Sequence, residues 1–197
     1  LMMSTCGVYA APRDYSKPVL ETDPLGGTPQ PYAPTYCISK ISQEAVAKFA
    51  AEEFGLRTTI ARMNAAYGDN GGFPAMLVDM ILGDVPIEVM PSGQGDVASP
   101  IHEDDIYDQT SGLLAAASVP ATIVNWGGDE GVSVPDLARY IAGRLGREAK
   151  VSAGEGGIHQ YWLDPTRRIE LAGACRIPWQ QGVQRMLAAR HPEITLQ

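Results

Sequence analysis

Positive charge is scarce in this chain: 15 Lys and Arg stand against 23 Asp and Glu in 197 residues, a formal net charge of -8. A surface so balanced cannot neutralise a nucleic-acid backbone or an anionic leaflet, so neither is an expected partner. Long hydrophobic runs are missing as well, and no stretch nears the ~18 consecutive apolar residues of a membrane span. The segment Leu1 to Cys6 is apolar but lacks the basic region and cleavage site of a signal peptide, which makes the cytoplasm the expected location. Cys6, Cys37 and Cys175 are odd in number, widely spaced and free of any CxxC pair. That pattern fits reduced core thiols, not a disulfide framework or a zinc site. A glycine-rich phosphate cradle is also absent. Gly68-Asp69-Asn70-Gly71-Gly72 and Gly154-Glu155-Gly156-Gly157 have the spacing of turns.

What remains suffices for one sizeable core, with 45% hydrophobic and 19% charged residues. Leu1 to Thr5 reads as a buried strand with nothing ahead of it. Such a strand needs neighbours on its edges, so the chain reads as a piece of a longer protein. Ala10 to Pro34 carries Pro12, Pro18, Pro24, Pro29, Pro31 and Pro34, too many for a helix or central strand, and is expected to be a functional surface loop. A helix follows to about Phe54, with Ile38, Ile41, Ala45, Val46 and Phe49 as its apolar stripe and Gly55 as its stop. Further strands are expected over 58–63, 87–90, 100–102, 121–126 and 148–152. Helices are expected over 74–82, 103–117, 166–173 and 180–189, and from a Ser133 cap through Leu145. Strands alternating with helices predict an α/β fold with a mostly parallel sheet.

Chemistry is concentrated in Tyr36-Cys37-Ile38-Ser39-Lys40. On a helix, positions four apart share a face, so the phenol and the ammonium project together. A phenol titrating near ~10 is a poor acid or base at neutral pH, and a nearby cation favours its phenolate. Taken alone the spacing also describes a packed tyrosine beside a solvated lysine. Its surroundings add to it. Ser4-Thr5-Cys6-Gly7-Val8-Tyr9 ends a strand with hydroxyls at the carboxyl edge, where open α/β sheets bind ligands. Arg62-Met63-Asn64-Ala65-Ala66-Tyr67-Gly68 leaves the next strand, and Ile101-His102-Glu103-Asp104-Asp105-Ile106 opens a later helix. Val124-Asn125-Trp126-Gly127-Gly128 precedes the Ser-capped helix, and Asp164-Pro165-Thr166-Arg167-Arg168 and Trp179-Gln180-Gln181-Gly182-Val183 lie in the tail.

In this order the segments resemble the extended short-chain dehydrogenases/reductases, the NAD-dependent epimerase/dehydratase family, over nearly the whole chain. The resemblance implies part of a doubly wound, Rossmann-type sheet with a small C-terminal substrate-binding lobe. Residues 1–70 would finish the sheet domain and carry the catalytic helix; 71–197 would interleave the substrate lobe with the last sheet elements. It implies Thr5, Tyr36 and Lys40 as the catalytic set. NAD or NADP would be held by Tyr36, Lys40, Arg62 and Asn64, and a small-molecule substrate by Thr5, Cys6, Ala65 and His102. Hydride would pass between the nicotinamide and a substrate carbon as Tyr36 moves the proton on its oxygen. A homodimer built through the Tyr-Lys helix is implied too.

The chain departs from the family in three places. The cofactor's glycine fingerprint is not in these residues, which also suits a catalytically inactive binding or regulatory module, or an inactive fragment. Ala98-Ser99-Pro100 stands where many nucleotide-sugar members have an arginine on the diphosphate, so the guanidinium fork is lost. Asn64 sits one position earlier than the family's asparagine, leaving Ala65 in its place. Both changes weaken the case for a UDP- or dTDP-sugar and leave open another carbonyl or secondary alcohol, sugar-like or a small metabolite. His102 with Asp104 and Asp105 lacks a second histidine at ligand spacing, and no metal is expected. His159 and His191 read as surface or packing residues, and Trp126, Trp162 and Trp179 as core or interface anchors.

Overall fold

A computed structural model describes residues 1–27, 33–154, 156–157 and 159–197. Pro29 and Pro31 of the expected loop, and Glu155 of the expected turn, lie outside the described residues. Along the chain, β1 (Met2–Thr5) runs into a single 3-10 turn, Cys6–Val8. The loop then leads to α1 (Tyr36–Phe54), β2 (Thr59–Met63), β3 (Ala66–Gly68), β4 (Gly71–Gly72) and α2 (Phe73–Leu82). The short strands β5 (Ile87–Val89), β6 (Val97–Ala98) and β7 (Ile101–His102) precede α3 (Glu103–Ala115) and β8 (Thr122–Trp126). Then come β9 (Val132–Ser133), α4 (Val134–Arg144), β10 (Val151–Ala153), α5 (Thr166–Ala172) and α6 (Trp179–Arg190).

The main sheet has the order β1-β2-β8 and is parallel throughout, as a Rossmann-type fold requires. Its register aligns Thr5 with Met63 and Met63 with Trp126, so the three strands end together at one edge. Successive side chains of β2 point to opposite faces. Ala61 meets Leu113 of α3 within one core cluster, while Arg62 reaches Glu44 of α1. Helices α1 and α3 therefore cover opposite faces of the sheet. A second core joins α2, α4 and α6 around Leu77, Val78, Leu137, Ile141, Met186 and Leu187, over the parallel pair of β5 and β10.

The helices start and stop for local reasons. Ser133 Oγ accepts the Asp136 amide at 3.1 Å and caps α4, with Pro135 in its first turn. The left-handed φ of 63° at Gly55 ends α1. The apolar stripe expected on α1 needs correction. Ile38, Val46 and Phe49 are 54%, 67% and 60% exposed, and the helix instead buries Cys37, Glu44 and Ala51 against the sheet. Gly68–Gly72, expected as a turn, folds back so that β3 and β4 pair in antiparallel. The strand expected over 148–152 is shifted to β10.

Candidate active site

The carboxyl edge of the sheet is where several of the candidate side chains meet. Thr5 is the last residue of β1, and Tyr36 is the first of α1. Both line a cavity of about 310 Å³ together with Ala65, Phe73 and the segment His159–Tyr161. Cys6 lines it as well. Thr5 Oγ1 accepts the Gly7 amide at 3.2 Å. Tyr36 is half exposed, and its hydroxyl has no hydrogen-bond partner among the described residues. One turn along the helix, Lys40 Nζ lies 5.9 Å from the centroid of the Tyr36 ring. Its ammonium donates to the Met3 carbonyl at 2.9 Å and to Gln43 Oε1 at 3.0 Å. An ammonium has three donors, so one is left for a ligand.

Ala65 lines the same cavity in a left-handed conformation, φ 41°. Its neighbour Asn64 does not face a ligand. The Asn64 side chain is buried, with Nδ2 donating to the Tyr161 carbonyl at 2.5 Å and Oδ1 accepting the Ser99 amide at 3.3 Å. It ties the 159–163 segment over the site. Arg62 is likewise buried, with three nitrogens spent on Glu44 and on the Glu21 carbonyl. Arg62 and Asn64, expected at the cofactor, thus have these side-chain groups engaged within the protein. His102, expected at the substrate, is not among the residues lining this cavity. It caps α3, its Nδ1 accepting the Asp104 amide at 3.2 Å and its ring meeting Tyr67 edge to face. A backbone cap needs a buried acceptor at the helix start, and that need fixes the imidazole where it is.

The carboxylates beside His102 are also taken. Asp105 accepts the amides of Arg176 and Ile177, and Asp104 pairs with Arg185. Arg168, fully buried, donates to the Gly173 carbonyl and to Asp129, which explains the tail motif as an anchor. Gly128 is needed for close approach, because a Cβ there would run into the Pro100 carbonyl oxygen. Trp126 is a core anchor whose Nε1 donates to Gln109 Oε1 at 2.9 Å. The three cysteines are free, and burial pushes the Cys6 and Cys175 thiols up to about 12. Neither is a nucleophile near neutral pH.

His159, read from the sequence as a surface or packing residue, is a packing residue that also borders the cavity. It is 8% exposed, lines the cavity, and packs against Tyr161 with ring centroids 4.8 Å apart. Burial lowers its pKa, so the imidazole is neutral at pH 7. A lone histidine after a short strand gives no pattern by which to find it.

No family model matches the chain. The dTDP-4-dehydro-6-deoxy-D-allose reductase of Streptomyces bikiniensis is 29% identical over 160 residues, 76% of this chain and 48% of that protein. In structure, the dTDP-glucose 4,6-dehydratase of Streptomyces venezuelae, solved with NAD bound, superposes with a TM-score of 0.77 at 23% identity. That match covers 97% of this chain and 59% of the other. The UDP-glucose 4-epimerase of Thermus thermophilus, solved with NAD, gives 0.73 at 21% identity over 96% of this chain and 62% of its own. In sequence and in fold the chain matches the extended short-chain dehydrogenases/reductases. The chain spans about half the length of the curated relatives it matches, 48%, 39% and 56% for three of them. Within the family pattern, the structure brings Thr5, Tyr36, Cys6 and Ala65 to one cavity, sets Lys40 beside it, and leaves Arg62, Asn64 and His102 outside or behind it.

Proposed function

We propose that this chain supplies the acid-base and substrate-binding half of an NAD(P)-dependent oxidoreductase, epimerase or dehydratase acting on a carbonyl or secondary alcohol. The observation that carries this reading is the shared cavity of Thr5 and Tyr36 at the carboxyl edge of a parallel sheet, with Lys40 one helical turn on. NAD or NADP, when bound, supplies or accepts the hydride. Lys40 fits a role at the nicotinamide ribose, since one of its donors is unspent. Thr5, whose oxygen already accepts the Gly7 amide, offers its proton to the substrate oxygen. Tyr36 then gives or takes the proton on that same oxygen. Pyrophosphate contacts fall to residues outside the 197.

A homodimer through α1 is part of this reading. Phe54 joins Ile38, Val46 and Phe49 as large apolar side chains on the exposed part of that helix. A cytoplasmic location is part of it too; among the described residues no helix is long and apolar enough to cross a membrane. Titrating full-length protein with NADH and NADPH, followed by nucleotide fluorescence, tests the proposal. Saturable binding of either is expected, and binding of neither contradicts it. Light scattering on the eluting protein reads the dimer separately.

A further inference from the structure

The cavity around Tyr36 is at the small end of ligand sites, and a larger one adjoins it. About 720 Å³ opens between Tyr15 and Ser16 of the long loop, strands β5 and β10, and the start of α4. One hydrogen-bonded pair stands between them. Tyr15, which lines the larger cavity, meets Nε2 of His159, which lines the smaller, at 3.3 Å. The chain continues the shared wall, with Gln160 on the reaction side and Trp162 on the far side. A substrate longer than the first cavity would extend past this pair toward the second.

The second cavity offers little to a phosphate. Its charged lining among the described residues is Asp96, Asp136 and Arg139, one negative charge in sum. Arg139 is exposed and pairs with one of these carboxylates, its Nη2 donating to Asp136 Oδ1. Asp136 Oδ2 accepts the Ser133 hydroxyl at 2.5 Å, and these contacts hold its carboxyl below the usual range. Asp96 is buried, its Oδ1 accepting the Gly93 amide at 2.8 Å. Ala98 and Ser99, just past the cavity wall at Val97, bring no guanidinium: Ala98 is fully buried and Ser99 Oγ accepts the Leu163 amide. The remaining wall includes Val89, Met90, Val151 and the indole of Trp162. A diphosphate, with two negative charges, would face carboxylates where it needs a cationic fork.

We propose that this cavity rejects nucleoside-diphosphate carriers, and that the substrate is an alcohol or ketone whose remote part is uncharged and largely apolar. The inference rests on the proposed hydride-transfer role of the Tyr36 site. In that respect the chain differs from relatives named for dTDP-linked sugars.

The test uses full-length protein and two probes that share one sugar: p-nitrophenyl β-D-glucoside and UDP-glucose. NADH binding is measured first on the same sample. If NADH fails to bind, the proposed function fails, while the two titrations still read the cavity. Calorimetry is expected to give tighter binding of the aryl glucoside than of UDP-glucose. The double variant Asp96→Asn, Asp136→Asn, which keeps both side-chain shapes and frees Arg139, is expected to bind UDP-glucose at least about tenfold more tightly. Tighter binding of UDP-glucose by the wild type, binding of neither probe, or a folded double variant with no gain overturns the proposal. Should the double variant fail to fold, the wild-type comparison alone decides.

Discussion

Arg62 and Glu44 form a two-pronged ion pair inside the protein, with Nε to Oε1 at 3.0 Å and Nη2 to Oε2 at 2.8 Å. Ser4 adds its hydroxyl to Glu44 at 2.6 Å, and the Arg62 guanidinium lies 4.7 Å from the Tyr9 ring centroid. The pair joins β1, β2 and α1, the three elements that place Thr5 and Tyr36. Burial pushes the Glu44 carboxyl upward, but hydrogen bonds from Arg62 and Ser4 outweigh it and hold the group below its ordinary 4.5.

Removing one partner leaves the other charge buried. Glu44→Gln should cost ~3–5 kcal/mol at pH 7, read as a lowered urea midpoint. The sign of the pH effect follows from the lowered folded value. Stability from the ionised Glu44 is complete above about 4.5 and is lost as pH falls through the folded value. The gap between wild type and variant should therefore narrow below that pH. A gap that stays constant down to the acid limb would mean Glu44 is not held as an anion.

Trp126→Phe removes the donor to Gln109 Oε1 in a buried site. The orphaned amide should cost ~1–3 kcal/mol, with an unchanged denaturant slope. An unchanged midpoint would show that Gln109 finds another partner.

Lys40→Met deletes a cation whose hydrogen bonds within the described chain go to Met3 O and Gln43 and which lies near the Tyr36 ring. Stability should change little, because both contacts are exposed. If Lys40 holds the ribose as proposed, NADH affinity of the full-length protein should fall about tenfold or more, because a charged hydrogen bond would be lost. Unaltered NADH affinity would remove Lys40 from the cofactor site.

Much of this architecture could be read in the chain. Pro34 and Gly55 bracket α1, Ser133 with Pro135 and Asp136 announces α4, and β-branched runs mark β2 and β8. Burial direction was less legible. The spacing of Ile38, Val46 and Phe49 gives a helix face but not what that face meets, and here it meets solvent while Glu44 goes inward. Glu44 reads as an ordinary helix carboxylate because its partner is on another strand. The pairs β3–β4 and β6–β9 are two or three residues long, too short for a period of two to show. Tyr36 and Thr5 stand out through their order among other motifs, and both line one cavity. Arg62, Asn64 and His102 were matched by the same order, yet packing gives them wall and cap contacts that residue identity does not reveal.

The central claim is that Tyr36 moves the proton in a hydride-transfer reaction. It is tested most directly by Tyr36→Phe in the full-length protein, comparing NADH affinity with the rate of nucleotide-coupled turnover on a carbonyl substrate that the wild type accepts. The account predicts near wild-type NADH binding and turnover reduced ~10²-fold or more. Turnover equal to wild type would contradict it.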